Sequence, residues 1–121
     1  MSYKILVTGT GTPVGNSIAK YLSLNGHSLI ATYNNKKPKN LKNCKIIKID
    51  LSKNIKKKIN FDYLIHCASK IPKDGQSIKN YRQNINFIKN LLKLLNKNKC
   101  RRIIFLSAVS LYGKPLTKKI N

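Results

Sequence analysis

Apolar residues in this chain fall into short blocks separated by polar, lysine-rich stretches. Residues 3–8 (Tyr-Lys-Ile-Leu-Val-Thr) form the first block, and the near-continuous apolar run at its centre predicts a strand covered on both faces. Similar blocks at 28–33, 44–49, 62–67 and 102–107 predict four more strands. Between them the period lengthens. Pro13 suits a first helical turn, Val14, Ile18, Tyr21, Leu22 and Leu24 follow at helical spacing, and Asn25-Gly26 closes the helix. Ser52 is placed to cap a short lysine-rich helix over 53–58. The longest helix is predicted over 77–97, with Ile78, Tyr81, Ile85, Ile88, Leu92 and Leu95 in steps of three and four, widened by Leu91 and Leu94. That stripe fits a core face packed on a sheet, a homodimer seam, or both if the helix is apolar on two sides. Residues 34–43, broken by Pro38, and 68–76, with Pro72 and Gly75, read as loops.

Strands alternating with helices and loops predict an α/β fold, a Rossmann-type doubly wound parallel sheet of about five strands in the order 3-2-1-4-5. Residues 1–121 read as one domain with no linker or internal repeat, ending after the fifth strand.

Composition changes this picture in two respects. The net charge is +22, from 25 Lys+Arg against 3 Asp+Glu. Such a charge attracts phosphorylated ligands and nucleic acid nonspecifically. Lys, Asn and Ile are abundant together along the whole chain, which an AT-rich coding sequence would also produce. Second, Cys44, Cys67 and Cys100 are an odd number without metal-type spacing, which fits free thiols in a reducing cytoplasm. No secretory leader and no apolar run near the roughly 18 residues of a membrane span is evident, so no membrane partner is expected.

The candidate chemistry lies at the first turn. A strand, then Gly9, Gly11 and Gly15, then a helix N-terminus make a phosphate cradle, because glycine lets a ligand approach the main chain and the helix end favours an anion. In dinucleotide-binding turns an acid about 20 residues on receives the ribose hydroxyl. Here that region is Asn34-Asn35-Lys36-Lys37, with no carboxylate; Asn34 and Lys36 are candidate cofactor contacts, and Lys36 or Lys37 is placed to meet a 2′-phosphate, so NADP(H) is favoured over NAD(H). Other chemistries fit poorly. His27 and His66 have no second ligand at metal spacing, and Asp50, Asp62 and Asp74 show no catalytic pairing. Cys67 reads as a buried strand cysteine, with adjacent His66 on the opposite strand face.

Several segments together resemble the extended short-chain dehydrogenase/reductase family, the NAD-dependent epimerase/dehydratase group. They are Val7-Thr8-Gly9 through Gly15 for T-G-x-x-G-x-x-G, Asp50-Leu51 after the third strand, and Asp62 through Ser69 for D-x-V-I-H-x-A-A. Asn84-Ile85 with Asn90-Leu91-Leu92 is similar to the family's N-V-x-G-T-x-N-L-L helix. Arg102 through Ser107 with Leu111-Tyr112-Gly113 is similar to its strand-five ending. The resemblance implies that Gly9, Gly11, Thr12, Pro13, Val14 and Gly15 face the cofactor, that Asp50 and Leu51 flank its adenine, that Cys67, Ala68 and Ser69 lie along it, and that Asn84 supports the site. It also implies hydride exchange with a nicotinamide, typically on nucleotide sugars, using a tyrosine acid/base and a nearby lysine.

Three departures stand out. The motif's second glycine falls at Thr12, with Gly11 one place early, and the substrate-holding Ser/Thr falls at Ala108, leaving the neighbours Ser107 and Ser110 as substitutes, of which Ser107 is a weak candidate that also fits support of the strand end. The family's Tyr-x-x-x-Lys pair belongs on a helix after strand five, and the 121 residues stop ahead of it; the formal match Tyr33/Lys37 sits at the adenosine end. The expectation is therefore a dinucleotide-binding portion of an epimerase/dehydratase/reductase-type enzyme, without its substrate domain and inactive alone, whether as a fragment or a truncated product. A basic nucleotide- or RNA-binding module on a degenerate Rossmann core is the alternative.

Overall fold

A computed structural model describes residues 3–68, 77–95 and 100–106. Five strands, β1 (Lys4–Thr8), β2 (Ser28–Tyr33), β3 (Cys44–Lys48), β4 (Tyr63–His66) and β5 (Arg102–Phe105), form one parallel sheet in the order β3-β2-β1-β4-β5. Helix α1 (Pro13–Leu24) joins β1 to β2, and α2 (Ser77–Leu95) precedes β5. This is the α/β, Rossmann-like order expected from the sequence. β2 fills its block, while β1, β3 and β4 are a residue or two shorter than theirs; the ladder nonetheless runs on past β3, where the Ile49 N–H donates to the Tyr33 carbonyl at 2.8 Å.

Successive strand residues face opposite sides, so β1 serves two cores. Ile5 and Val7 join Ala19 and Leu29 on the α1 face. Leu6 joins Ile47, Ile49, Leu51, Ile59, Phe61, Leu64, Phe87, Leu91 and Leu94 on the α2 face. The central strand must be apolar throughout because neither of its faces meets water.

Three expectations are corrected. The segment 53–58 is turn and extended chain, with no helix. In a helix Lys53 would face Lys56 and Lys57, like charges at i+3 and i+4, and one turn gives too few hydrogen bonds to offset helix nucleation. Ile55 and Ile59 pack individually instead. On α1 the sheet-facing positions are small: Gly15 and Ala19 are buried, while Val14, Tyr21 and Leu24 are exposed. On α2 the expected stripe is mostly outward. Ile78, Tyr81, Ile85 and Leu92 are 67%, 45%, 51% and 47% exposed, while Phe87, Leu91, Leu94 and the polar Asn80 and Asn90 are buried. The Asn90 side-chain amide donates to the Leu51 carbonyl at 2.7 Å, which satisfies both groups in the core. The helix is thus apolar on two sides.

Candidate dinucleotide crevice

At the carboxyl end of β1 the chain turns sharply. Gly9 takes φ +69°, a region L side chains rarely adopt, and a Cβ there would lie 2.6 Å from the Ala68 nitrogen. The missing side chain brings the turn against Cys67 and Ala68, which follow β4. Thr10 is fully buried and anchors the turn to β2: its N–H and hydroxyl both donate to the Thr32 carbonyl, at 3.1 and 2.9 Å. Thr12 is the N-cap of α1. Its hydroxyl donates to the Gly9 carbonyl at 2.7 Å and accepts from the Gly15 N–H at 3.2 Å. Pro13 occupies the first helical position. A Cβ on Gly15 would collide with the Gly9 carbonyl, so only glycine lets α1 start this close to the strand.

Gly11 has a different use. A Cβ there would collide with the Lys36 carbonyl, and the Lys36 Cβ lies 3.2 Å from the same point. The segment after β2 therefore seats on the turn, bringing Lys36 to its rim beside half-buried Asn34. A second tie is the Asn16 side-chain amide, which donates to the Lys39 carbonyl at 3.1 Å. Asp50 follows β3; its carboxylate accepts from the Ser52 N–H at 3.0 Å and the Ser52 hydroxyl at 2.6 Å. Leu51 is buried in the α2-side core.

Sequence reasoning missed the hub of this arrangement, buried Thr8. Its hydroxyl accepts from the Cys67 N–H at 3.0 Å and the Ala68 N–H at 3.3 Å, and lies 2.7 Å from His66 Nδ1. With both backbone groups donating to it, the hydroxyl proton goes to Nδ1, leaving His66 neutral with its proton on Nε2. Burial pushes His66 down to about 4, and Phe105 meets its ring edge-on with centroids 5.7 Å apart. Cys67 packs on the α1 side with Ile5 and Val7, on the other face from His66. Burial pushes its thiol up to about 11, so it is uncharged at neutral pH and a poor nucleophile. No group of metal-ligating side chains occurs among the described residues.

The turn residues Gly9, Gly11, Thr12, Pro13, Val14 and Gly15 thus meet Lys36 on one side and Cys67 and Ala68 on the other. Asp50 stands at the end of β3, two strands from β1. Asn84 is half-buried on α2. Ser69 and Ser107 lie outside the described residues, as do Ala108 and the 111–113 segment. The crevice lies between β1 and β4, whose following connections run in opposite directions, β1 to β2 and β4 to β5, the position at which open α/β sheets take ligands.

A family model described as "NAD dependent epimerase/dehydratase family" matches residues 5–120. The chain belongs to this family. Solved epimerase structures share its fold. A UDP-galactose 4-epimerase aligns with TM-score 0.78 and 19% identity over 91% of this chain and 40% of its own. The Bifidobacterium longum UDP-glucose 4-epimerase, solved with NAD+ and UDP, aligns with TM-score 0.75 and 24% identity over 97% of this chain and 40% of its own. The Bordetella bronchiseptica enzyme WbmH, solved with NAD+, aligns with TM-score 0.75 and 16% identity over 98% and 43%. A search of curated proteins finds no significant sequence match. The chain spans about 40% of the length of these epimerase structures. Among the described residues, no helix is long and apolar enough to cross a membrane.

Proposed function

We propose that residues 1–121 are the dinucleotide-binding domain of an epimerase/dehydratase-type enzyme acting on nucleotide sugars or related carbonyl/alcohol substrates. The observation that carries this is the glycine turn. Gly9 and Gly15 are sites where a Cβ would strike the neighbouring backbone, and together they set a helix N-terminus over the crevice between β1 and β4. In this reading Gly9 to Gly15 receive the pyrophosphate, and Asp50 and Leu51 mark the adenine end. Cys67, Ala68 and Ser69 line the path toward the nicotinamide, and Asn84 supports it from α2. The bound nicotinamide would supply hydride exchange; the chain's residues bind and orient it. Lys36, seated on Gly11 at the rim, favours the 2′-phosphate of NADP(H) over the bare ribose of NAD(H). Ser107 is the weak candidate for substrate support, and the chain alone binds cofactor without turnover.

A second surface supports pairing of two copies. Ile78, Tyr81, Ile85 and Leu92 form an outward stripe along α2, apart from the side that packs on the sheet. A self-complementary helix stripe of this kind suits a two-fold homodimer.

Calorimetric titration of the purified chain with NADPH and NADH tests the main reading. Saturable one-to-one binding, tighter for NADPH, is the expected result. Binding of RNA that dinucleotide fails to displace, with a steep salt dependence, would instead favour the basic nucleic-acid module.

A further inference from the structure

Thr12 stands where the dinucleotide turn would carry its second glycine, the one that lets backbone approach the pyrophosphate. The displaced glycine does not restore that space, because the bare side of Gly11 is filled by the chain's own Lys36 carbonyl. The Thr12 hydroxyl is also engaged. It accepts from the Gly15 N–H at 3.2 Å while donating to the Gly9 carbonyl at 2.7 Å. Of the first three helical residues, Pro13 has no N–H and Gly15 donates to Thr12. Val14 retains an N–H without a protein acceptor among the described residues. The next amide, Asn16, donates to the Thr12 carbonyl at 2.8 Å.

We propose that Thr12 is an intramolecular competitor for the pyrophosphate and sets the dinucleotide affinity of this domain. A phosphate oxygen reaching the Gly15 N–H must displace the Thr12 hydroxyl, and the Thr12 side chain stands in the approach that glycine would leave open. The inference rests on the dinucleotide reading of the crevice. It adds that the Gly15 amide is already capped by the chain, so that at this donor the cofactor exchanges one hydrogen bond for another and only the Val14 N–H is left open to it. Affinity is accordingly lower than an all-glycine turn would give.

The test compares the wild-type chain with Thr12→Gly and Thr12→Ser, using ADP and adenosine as probes in calorimetric titration. Glycine is itself a tolerated N-cap, so the variant keeps its helix; circular dichroism checks this. Thr12→Gly should bind ADP about five- to tenfold more tightly, the worth of one hydrogen bond. Adenosine, which has no phosphate, should bind both proteins alike. Thr12→Ser keeps the hydroxyl and should match wild type. Unchanged or weaker ADP binding by folded Thr12→Gly would overturn the inference while leaving the dinucleotide reading intact. Equal tightening for adenosine, or by Thr12→Ser, would overturn it as well. Absence of ADP binding by all three folded proteins would overturn the dinucleotide reading and the inference with it.

Discussion

Replacing Thr8 with valine removes one hydroxyl and almost no volume. In the native chain that hydroxyl serves His66 Nδ1 and the N–H groups of Cys67 and Ala68. A buried polar group left without a partner costs about 1–3 kcal/mol. His66 and Thr8 are buried, whereas Cys67 and Ala68 are half-buried and partly recover their bonds from water. The expected loss is therefore about 2–4 kcal/mol, a large part of the roughly 5–15 kcal/mol that holds a domain together. Urea unfolding followed by circular dichroism measures it, with Thr8→Ser as the control that keeps the hydroxyl. Burial of His66 also makes stability depend on pH. Folded His66 titrates at about 4 instead of its ordinary 6.5, so the unfolded chain takes up a proton that the folded chain refuses. Stability from this source is fully present above pH 6.5 and is lost as pH falls toward 4, by up to about 3 kcal/mol. A Thr8→Val chain within 0.5 kcal/mol of wild type would refute the assignment of Thr8 as the tie between β1 and β4.

Other substitutions test separate parts of the account. Gly15→Ala puts a Cβ into the Gly9 carbonyl and should destabilise the fold by about 3 kcal/mol or more, read as a fall in melting temperature. Lys36→Ala should weaken NADPH several-fold and leave NADH within about twofold, measured by titration, if Lys36 meets the 2′-phosphate. Ile85→Asp with Leu92→Asp places charge on the outward stripe of α2. It should shift sedimentation from dimer to monomer while leaving the circular dichroism spectrum unchanged.

The sheet order could be read directly from the chain because buried parallel strands leave apolar blocks, and because the spacing of those blocks allows few right-handed connections. The glycine turn was equally plain, since backbone geometry restricts Gly9 and Gly15 to one residue type. The facing of α2 was hidden. Its sheet side carries Asn80 and Asn90, which a count of apolar periods scores as solvent positions. Asn90 is buried only because the Leu51 carbonyl, thirty-nine residues away, receives its amide. The same limit hid Thr8 and His66, whose pairing spans fifty-eight residues and carries no local pattern. Gly11 was visible as a glycine out of place. Its reason, the Lys36 carbonyl lying against it, required the fold of the segment after β2. The 53–58 segment shows the converse error: a serine cap was outweighed by the like charges of Lys53, Lys56 and Lys57, which a helix would bring to one face.

The central claim is that the crevice between β1 and β4 holds a dinucleotide. Amide chemical-shift mapping of the 15N-labelled chain during titration with NADP+ tests it most directly. The account predicts saturable shifts at Gly9, Gly11, Thr12, Val14 and Gly15, with Cys67 and Ala68 moving together with them. Shifts confined to the opposite, amino-terminal end of the sheet around Lys4 and Lys45, or none at saturating NADP+, would contradict it.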